Sequence, residues 1–189
     1  MMNLTNMRIG KRLGVGFGIA IVLTVVIAIT GWWASQSINT AADKALSEGS
    51  KALLTKTAML DNVTIQTLVL RITNAPDAGR RQQYTARLIE TRQTLKSELA
   101  EIESIAASET SKRLAQEFTA GVTTQRETNN QIMELVNNGK RDEAMQLVHG
   151  EAGTRMASTA AVAQQLADWE VKKRDDALQE KAAVTLKMR

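Results

Sequence analysis

The chain has no cysteine, one proline, one histidine and only six aromatic residues in 189. Without cysteine there is no disulfide framework, no iron–sulfur cluster, no thiolate zinc site and no thiol nucleophile. Zero cysteine is compatible with either side of a membrane, so it leaves the redox compartment open. Half of the aromatics (Phe17, Trp32 and Trp33) fall in the first 33 residues, and Pro76 stands alone. Strands favour β-branched and aromatic residues, and sandwiches need frequent turn residues. An all-β or doubly wound fold is therefore not expected, and the inventory points to helices.

Charge of one sign is also scarce. The net charge is +4, but Arg8, Lys11 and Arg12 precede the first apolar run, which leaves 21 basic against 20 acidic side chains in residues 34–189. The charges are mixed along the length, with no basic stripe and no interleaved aromatics, so no nucleic-acid partner is expected.

What the sequence does have is one long uncharged run, LGVGFGIAIVLTVVIAITGWW, from Leu13 to Trp33. As a helix it covers ~31 Å, the thickness of a bilayer's hydrocarbon core. The basic cluster at one end predicts a cytoplasmic N-terminus at residues 1–12, a transmembrane helix at 13–33, and residues 34–189 in the periplasm outside a bacterial inner membrane. Trp32 and Trp33 suit the interfacial aromatic belt. A cleaved signal peptide is the competing reading; its apolar region is shorter, and Gly31-Trp32-Trp33 is a poor cleavage context. Gly10, Gly14 and Gly18 recur four apart, a spacing that permits close helix–helix approach and that is also common in membrane helices generally.

Residues 34–189 read as four helices separated by three breaks. These are Asn74-Ala75-Pro76-Asp77-Ala78-Gly79, the small-residue stretch 106–111 with a serine or threonine to cap the next helix, and Asn137-Asn138-Gly139-Lys140 with glycine for a left-handed C-cap and Asp142 just after it. Apolar stripes at three- and four-residue steps run through Leu88, Leu95, Leu99 and Ile102, through Leu114, Phe118, Val122, Ile132 and Leu135, and through Leu147, Val148, Ala152, Thr159, Val162, Leu166 and Trp169. Short connections make successive helices antiparallel, so the expected fold is all-α: an up-down-up-down four-helix bundle preceded by one transmembrane helix. The first helix spreads Leu53, Leu54, Leu60, Val63, Leu68, Leu70 and Ile72 around more than one face, which predicts a second partner beside the bundle and hence a homodimer.

Enzymatic chemistry is not expected. His149 stands without the repeated His/Glu spacing that zinc and di-iron bundles need, and the nearby Asp142, Glu143 and Glu151 read as a solvated helix start. No metal or cofactor is expected; haem ligation by His149 with a methionine has no second supporting feature. Polar residues on the core stripes are more informative. Past Phe118 and Val122, the stripe brings Gln125, Thr128 and Asn129 inward, with Arg126 adjoining. On the first helix Thr64, Thr67 and Arg71 make a polar face at a comparable height. These residues either bond one another or bracket water, or they line a ligand pocket. Arg126 has no acidic residue at i±3 or i±4, so it is expected to meet a ligand's carboxylate together with Arg71. The candidate ligand-binding set is Arg71, Arg126, Thr67, Thr64, Asn129 and Arg155.

The segment Met2–Trp33, MNLTNMRIGKRLGVGFGIAIVLTVVIAITGWW, resembles the amino-terminal anchor of bacterial methyl-accepting chemotaxis proteins. Residues 139–151, GKRDEAMQLVHGE, are similar to the turn and fourth-helix start of their four-helix-bundle sensor domain. The resemblance covers essentially the whole chain. It implies a chemoreceptor sensor region that binds a small organic acid and signals across the membrane, with a cytoplasmic chemotaxis adaptor and kinase as partners of the full-length receptor. Such receptors continue into a second membrane helix, a HAMP linker and a signalling hairpin, so the chain looks like an amino-terminal fragment. Aspartate-sensing members carry several arginines on the upper first helix and a threonine on the fourth. Only Arg71 matches in that stretch, with Thr154 and Thr159 available, which favours a di- or tricarboxylic acid over an amino acid. The alternative is a sensor module of a kinase or other signalling protein that recognises a protein partner or a stress cue.

Overall fold

A computed structural model describes the backbone of residues 9–187, and within it every side chain except those of 9–16, 18–19, 33–34, 37–38, 41, 181 and 184–187. The elements are α1 (Ile9–Thr73), α2 (Ala78–Ile105), α3 (Glu109–Asn137), α4 (Arg141–Leu147), a π-helical turn (Val148–Ala152) and α5 (Gly153–Lys187). No strand occurs among the described residues. The chain divides into two compact units, Met1–Ala45 with Asp176–Arg189, and Leu46–Asp175.

In the first unit, every described side chain from Ala20 to Trp32 is exposed, including Ile21, Val22, Leu23, Val25, Val26, Ile27 and Ile29. Thr24 and Thr30 fold their hydroxyls back onto the carbonyls of Ala20 and Val26, each at 2.9 Å. Among the described residues no helix is long and apolar enough to cross a membrane. The span expected at 13–33 lies partly outside those residues, since it includes side chains 13–16, 18, 19 and 33.

The second unit is the four-helix bundle, and the apolar stripes place its core. Ile65, Leu68, Val69 and Ile72 of α1 pack with Leu88, Leu95, Leu99 and Ile102 of α2, with Leu114, Phe118, Ile132 and Val136 of α3, and with Ala144, Ala152, Ala163 and Leu166 of the fourth arm. The spread of leucines on α1 resolves into two faces. Leu68 and Ile72 are buried, whereas Leu46, Leu53 and Leu60 point to solvent at 66–73% exposure.

Caps set the ends of the helices. The Asp77 carboxylate accepts from the Arg80 N–H at 2.8 Å, and Ser108 and Ser111 form a reciprocal capping box. Gly139 holds φ +75°, the left-handed conformation expected for the C-cap after α3. Asp142 lies in the first turn of α4; the N-cap is Lys140, without a side-chain cap bond.

The fourth arm departs from the single helix expected from the sequence. Val148-His149-Gly150-Glu151-Ala152 winds as a π turn, which adds one residue to the register between α4 and α5. The extra residue lets Ala144 and Ala152 both face the core, and the Gly150 carbonyl accepts from the Gly153 N–H and from the Thr154 hydroxyl, the latter at 3.2 Å.

Candidate functional site

One position in the α2 stripe is charged. Leu88, Arg92, Leu95, Leu99 and Ile102 follow steps of four and three, so Arg92 occupies a place where the helix otherwise buries leucine. Its Nη1 donates to Asn130 Oδ1 on α3 at 3.1 Å, while Nε and Nη2 are buried without a hydrogen-bond partner. Burial, and then the neighbouring Arg126 charge, lower the Arg92 pKa from its ordinary value.

Arg92 lines a cavity of about 320 Å³ between α1, α2 and α3. Its polar lining includes Asn62 from α1, and Thr119, Gln125, Arg126 and Asn129 from α3. Asn129 is 1% exposed, yet neither its Oδ1 nor its Nδ2 has a partner; the buried Thr119 Oγ1 has none either. Buried polar groups are nearly always paired. Here three residues that line one cavity from facing helices each carry a buried polar atom without a partner, and a few polar groups in an apolar cleft are what a small-molecule site offers. Ile65, Leu95, Leu99 and Val122 supply the apolar wall.

Gln125 closes one side of the cavity. Its Oε1 accepts from Gln66 Nε2 at 2.9 Å, and its Nε2 donates to the Arg155 carbonyl at 3.1 Å. The amide therefore ties α1, α3 and α5 together at the height of the cavity, three residues beyond the π turn. A second, smaller cavity of about 210 Å³ lies among Gln66, Thr67, Val148, Gly153 and Met156, against that turn.

The sequence-derived residues separate into three groups. Arg126 and Asn129 both line the first cavity. Thr67 lines the second, though its hydroxyl is directed at the Val63 carbonyl at 3.1 Å. Thr64, Arg71 and Arg155 line neither. Thr64 is exposed and bonds the Leu60 carbonyl at 2.9 Å, Arg71 stands over the Tyr84 ring at 5.9 Å, and Arg155 is engaged by Glu151 through Nε at 2.8 Å and Nη2 at 2.6 Å. The guanidinium beside Arg126 is therefore that of Arg92, not of Arg71. Sequence reasoning missed Arg92, Asn62 and Thr119; the charged residue inside the α2 stripe was the available signal. His149 is exposed, and among the described residues no group of three or more His, Asp or Glu could hold a metal ion.

Comparison with known families decides the class. Residues 6–184 match the four-helix-bundle sensory module for signal transduction. The chain belongs to this family. It is a sensory module of the chemoreceptor type, and the family is one of signalling modules rather than enzymes. No curated protein and no solved structure matches the chain. Within this sensory module, the cavity with the unpaired polar groups of Arg92, Asn129 and Thr119 is the feature that asks for a ligand.

Proposed function

We propose that this sensory module detects a small organic carboxylate, held by Arg92 and Arg126 in the cavity between α1, α2 and α3, and passes the signal across a membrane for chemotaxis. The observation that carries the reading is that Arg92 and Asn129, each with two buried polar atoms that lack a partner, both line one cavity. A carboxylate supplies four lone-pair sites and the counter-charge that a buried guanidinium needs. The sequence reading placed Arg71 beside Arg126; Arg92 now takes that role.

A bacterial inner-membrane location fits the exposed apolar side chains of Ile21 to Trp32 together with Arg8, Lys11 and Arg12 on their N-terminal side. That polarity puts residues 34–189 in the periplasm. A homodimer fits α1: Leu46, Ser50, Leu53, Thr57, Leu60, Thr64, Thr67 and Arg71 recur at alternating steps of four and three, and all are exposed. That is the spacing of a two-helix seam. Ligand binding moves the equilibrium between helix arrangements only by its differential affinity for them. The Gln125 link to α5 provides the contact through which occupancy of the cavity reaches the fourth arm. The output partners on this reading are the chemotaxis adaptor and kinase in the cytoplasm.

The test is calorimetry of the 189-residue chain in detergent micelles against a panel of organic acids, with Arg92→Gln and Arg126→Gln in parallel. Binding of at least one acid, weakened by either substitution, is the expected result. Absence of binding by every acid at millimolar concentration removes direct carboxylate sensing.

A further inference from the structure

We infer that the acid recognised in this cavity carries a single carboxylate on an apolar body, such as an aromatic ring or a branched chain, and is not a di- or tricarboxylate. The inference rests on the carboxylate reading above and narrows it.

The cavity has unlike ends. The Arg92–Asn130 hydrogen bond sets the antiparallel register of α2 and α3. Stepping both helices away from it brings Lys96 level with Arg126, and Glu103 level with Thr119, all four of which line the cavity. From Arg92 to Glu103 the distance along α2 is ~16 Å. The cations Arg92, Lys96 and Arg126 lie toward one end, the Glu103 carboxylate stands at the other, and Leu95, Leu99, Val122 and Ile65 supply the wall.

Only one of the cations is desolvated. Arg126 and Lys96 are exposed, whereas two of the Arg92 nitrogens are cut off from solvent. Exposed charges contribute little to binding; a buried one gains most from a counter-charge. One buried guanidinium therefore matches one carboxylate. Asn129 Nδ2, beside it and unpaired, adds a neutral donor to the same head group.

A second carboxylate near the first finds only the exposed charges of Lys96 and Arg126, which solvent screens. Set against Ile65, Leu95 and Leu99, which are 2–6% exposed, it loses its water and gains no charge partner. Carried to the far end, it meets Glu103, where like charges repel. An apolar body gains from the same wall, roughly in proportion to the area it buries. The unpaired Thr119 hydroxyl at the far end accommodates a neutral polar substituent on that body.

The experiment uses the 189-residue chain in detergent micelles, with isothermal calorimetry as the readout and thermal melts to verify folding of each variant. The probes are benzoate and 3-methylbutanoate, the neutral isostere benzamide, the short acids succinate, malate and citrate, and the long dicarboxylate pimelate. The monocarboxylates are expected to bind at least about tenfold tighter than benzamide and than each of the polycarboxylates. Glu103→Gln is expected to strengthen pimelate by at least about threefold, because a far-end carboxylate is repelled by Glu103. Arg92→Gln is expected to weaken benzoate by at least about tenfold, and Arg92→Lys by less. If succinate, malate or citrate binds as tightly as the monocarboxylates and still depends on Arg92, the single-carboxylate inference falls and the carboxylate sensor stands. If no acid binds, or binding ignores both Arg92 and Arg126, the sensor reading falls and takes the inference with it.

Discussion

The side-chain amide of Gln125 donates to the backbone carbonyl of Arg155 at 3.1 Å, so a buried residue of α3 holds the first turns of α5 by its main chain. The same amide accepts from Gln66 of α1 at 2.9 Å. A side chain that is 2% exposed thus bonds three helices into one layer. Arg155 is spaced three residues from the π turn, where the fourth arm already departs from regular winding.

Replacing Gln125 by leucine removes both bonds and leaves the Gln66 amide facing an apolar group. The Arg155 carbonyl keeps the Thr159 and Ser158 hydroxyls, each at 2.9 Å, so the damage falls mainly on the α1–α3 side. The expected loss is about 1–3 kcal/mol in chemical denaturation. Gln66→Leu combined with Gln125→Leu should cost less than the two single changes together. Strict additivity would show that the amide pair contributes nothing as a pair.

Gly121 lets α3 lie close against Thr159 of α5. A Cβ added there would lie 2.6 Å from Thr159 Oγ1, 3.1 Å from its Cγ2 and 3.3 Å from its Cβ. Threonine is β-branched and stiff at χ1 in a helix, and its own Cβ is already close, so rotation gives limited relief. Gly121→Ala should therefore destabilise by about 1–3 kcal/mol despite alanine's better helix propensity. Thr159→Ala removes both γ atoms. The double variant should recover most of the loss in thermal melts, and a double variant no more stable than Gly121→Ala would place the close contact elsewhere.

The first site residue also sets a conflict between binding and stability. Arg92 carries two buried nitrogens without partners and stands near Arg126. Without ligand both features cost free energy. Arg92→Gln should raise the melting temperature of the ligand-free protein, by a gain on the order of 1 kcal/mol or roughly 2–4 °C, while it weakens acid binding. A variant that melts below the parent would show that the guanidinium is a structural strut.

How much of this was legible beforehand can be traced residue by residue. The four arms, the Gly139 cap and the inward run Gln125–Thr128–Asn129 follow from periodicity and turn chemistry, because each depends on neighbours within one or two helical turns. The π turn does not. Gly150 and Gly153 permit it, but its occurrence depends on which register lets both Ala144 and Ala152 reach the core. Arg126 was found through the break in the α3 stripe. Arg92 was missed because one arginine among leucines also reads as a stem lying along apolar surface with its head in water. Thr64, Thr67 and Arg71 were set against a pocket because α1 carries leucine on two faces, and spacing alone does not say which face looks into the bundle.

The exposed face of α1 leads to a prediction about assembly. Leu46, Leu53 and Leu60 repeat every seven residues and are each at least 66% exposed. Ser50, Thr57 and Thr64 fill the intervening seam positions, and Thr67 continues the seven-residue repeat. On the homodimer reading, Leu53→Lys with Leu60→Lys should convert a dimer to a monomer in sedimentation or light scattering, with helix content unchanged. Identical masses for parent and variant would move the subunit contact away from this seam.

Glu170 ties stability to pH. It is 5% exposed, and its pKa is raised from 4.5 to about 7 by burial first, then by a hydrogen bond with Glu48 and by the Glu48 charge, with Lys51 and Lys173 opposing. Two carboxyl groups that share a hydrogen bond cannot both be ionised without repulsion, so the folded bundle holds a proton there that the unfolded chain releases. The sign follows from the proton count. Between pH 4.5 and about 7 the folded state binds more protons than the unfolded one, so stability falls as pH rises through that window. The contribution is present in full at low pH and is lost above about pH 7. Ile102, Ile105 and Leu166 line the small cavity that Glu170 shares with Lys51. Glu170→Gln keeps a hydrogen-bonding side chain without the ionisation. Melting temperatures measured from pH 5 to pH 8 should decline for the parent and stay flatter for this variant, which should be the more stable of the two at pH 8 by on the order of 1–3 kcal/mol. Parallel pH profiles for the two proteins would show that the proton is not held between Glu48 and Glu170.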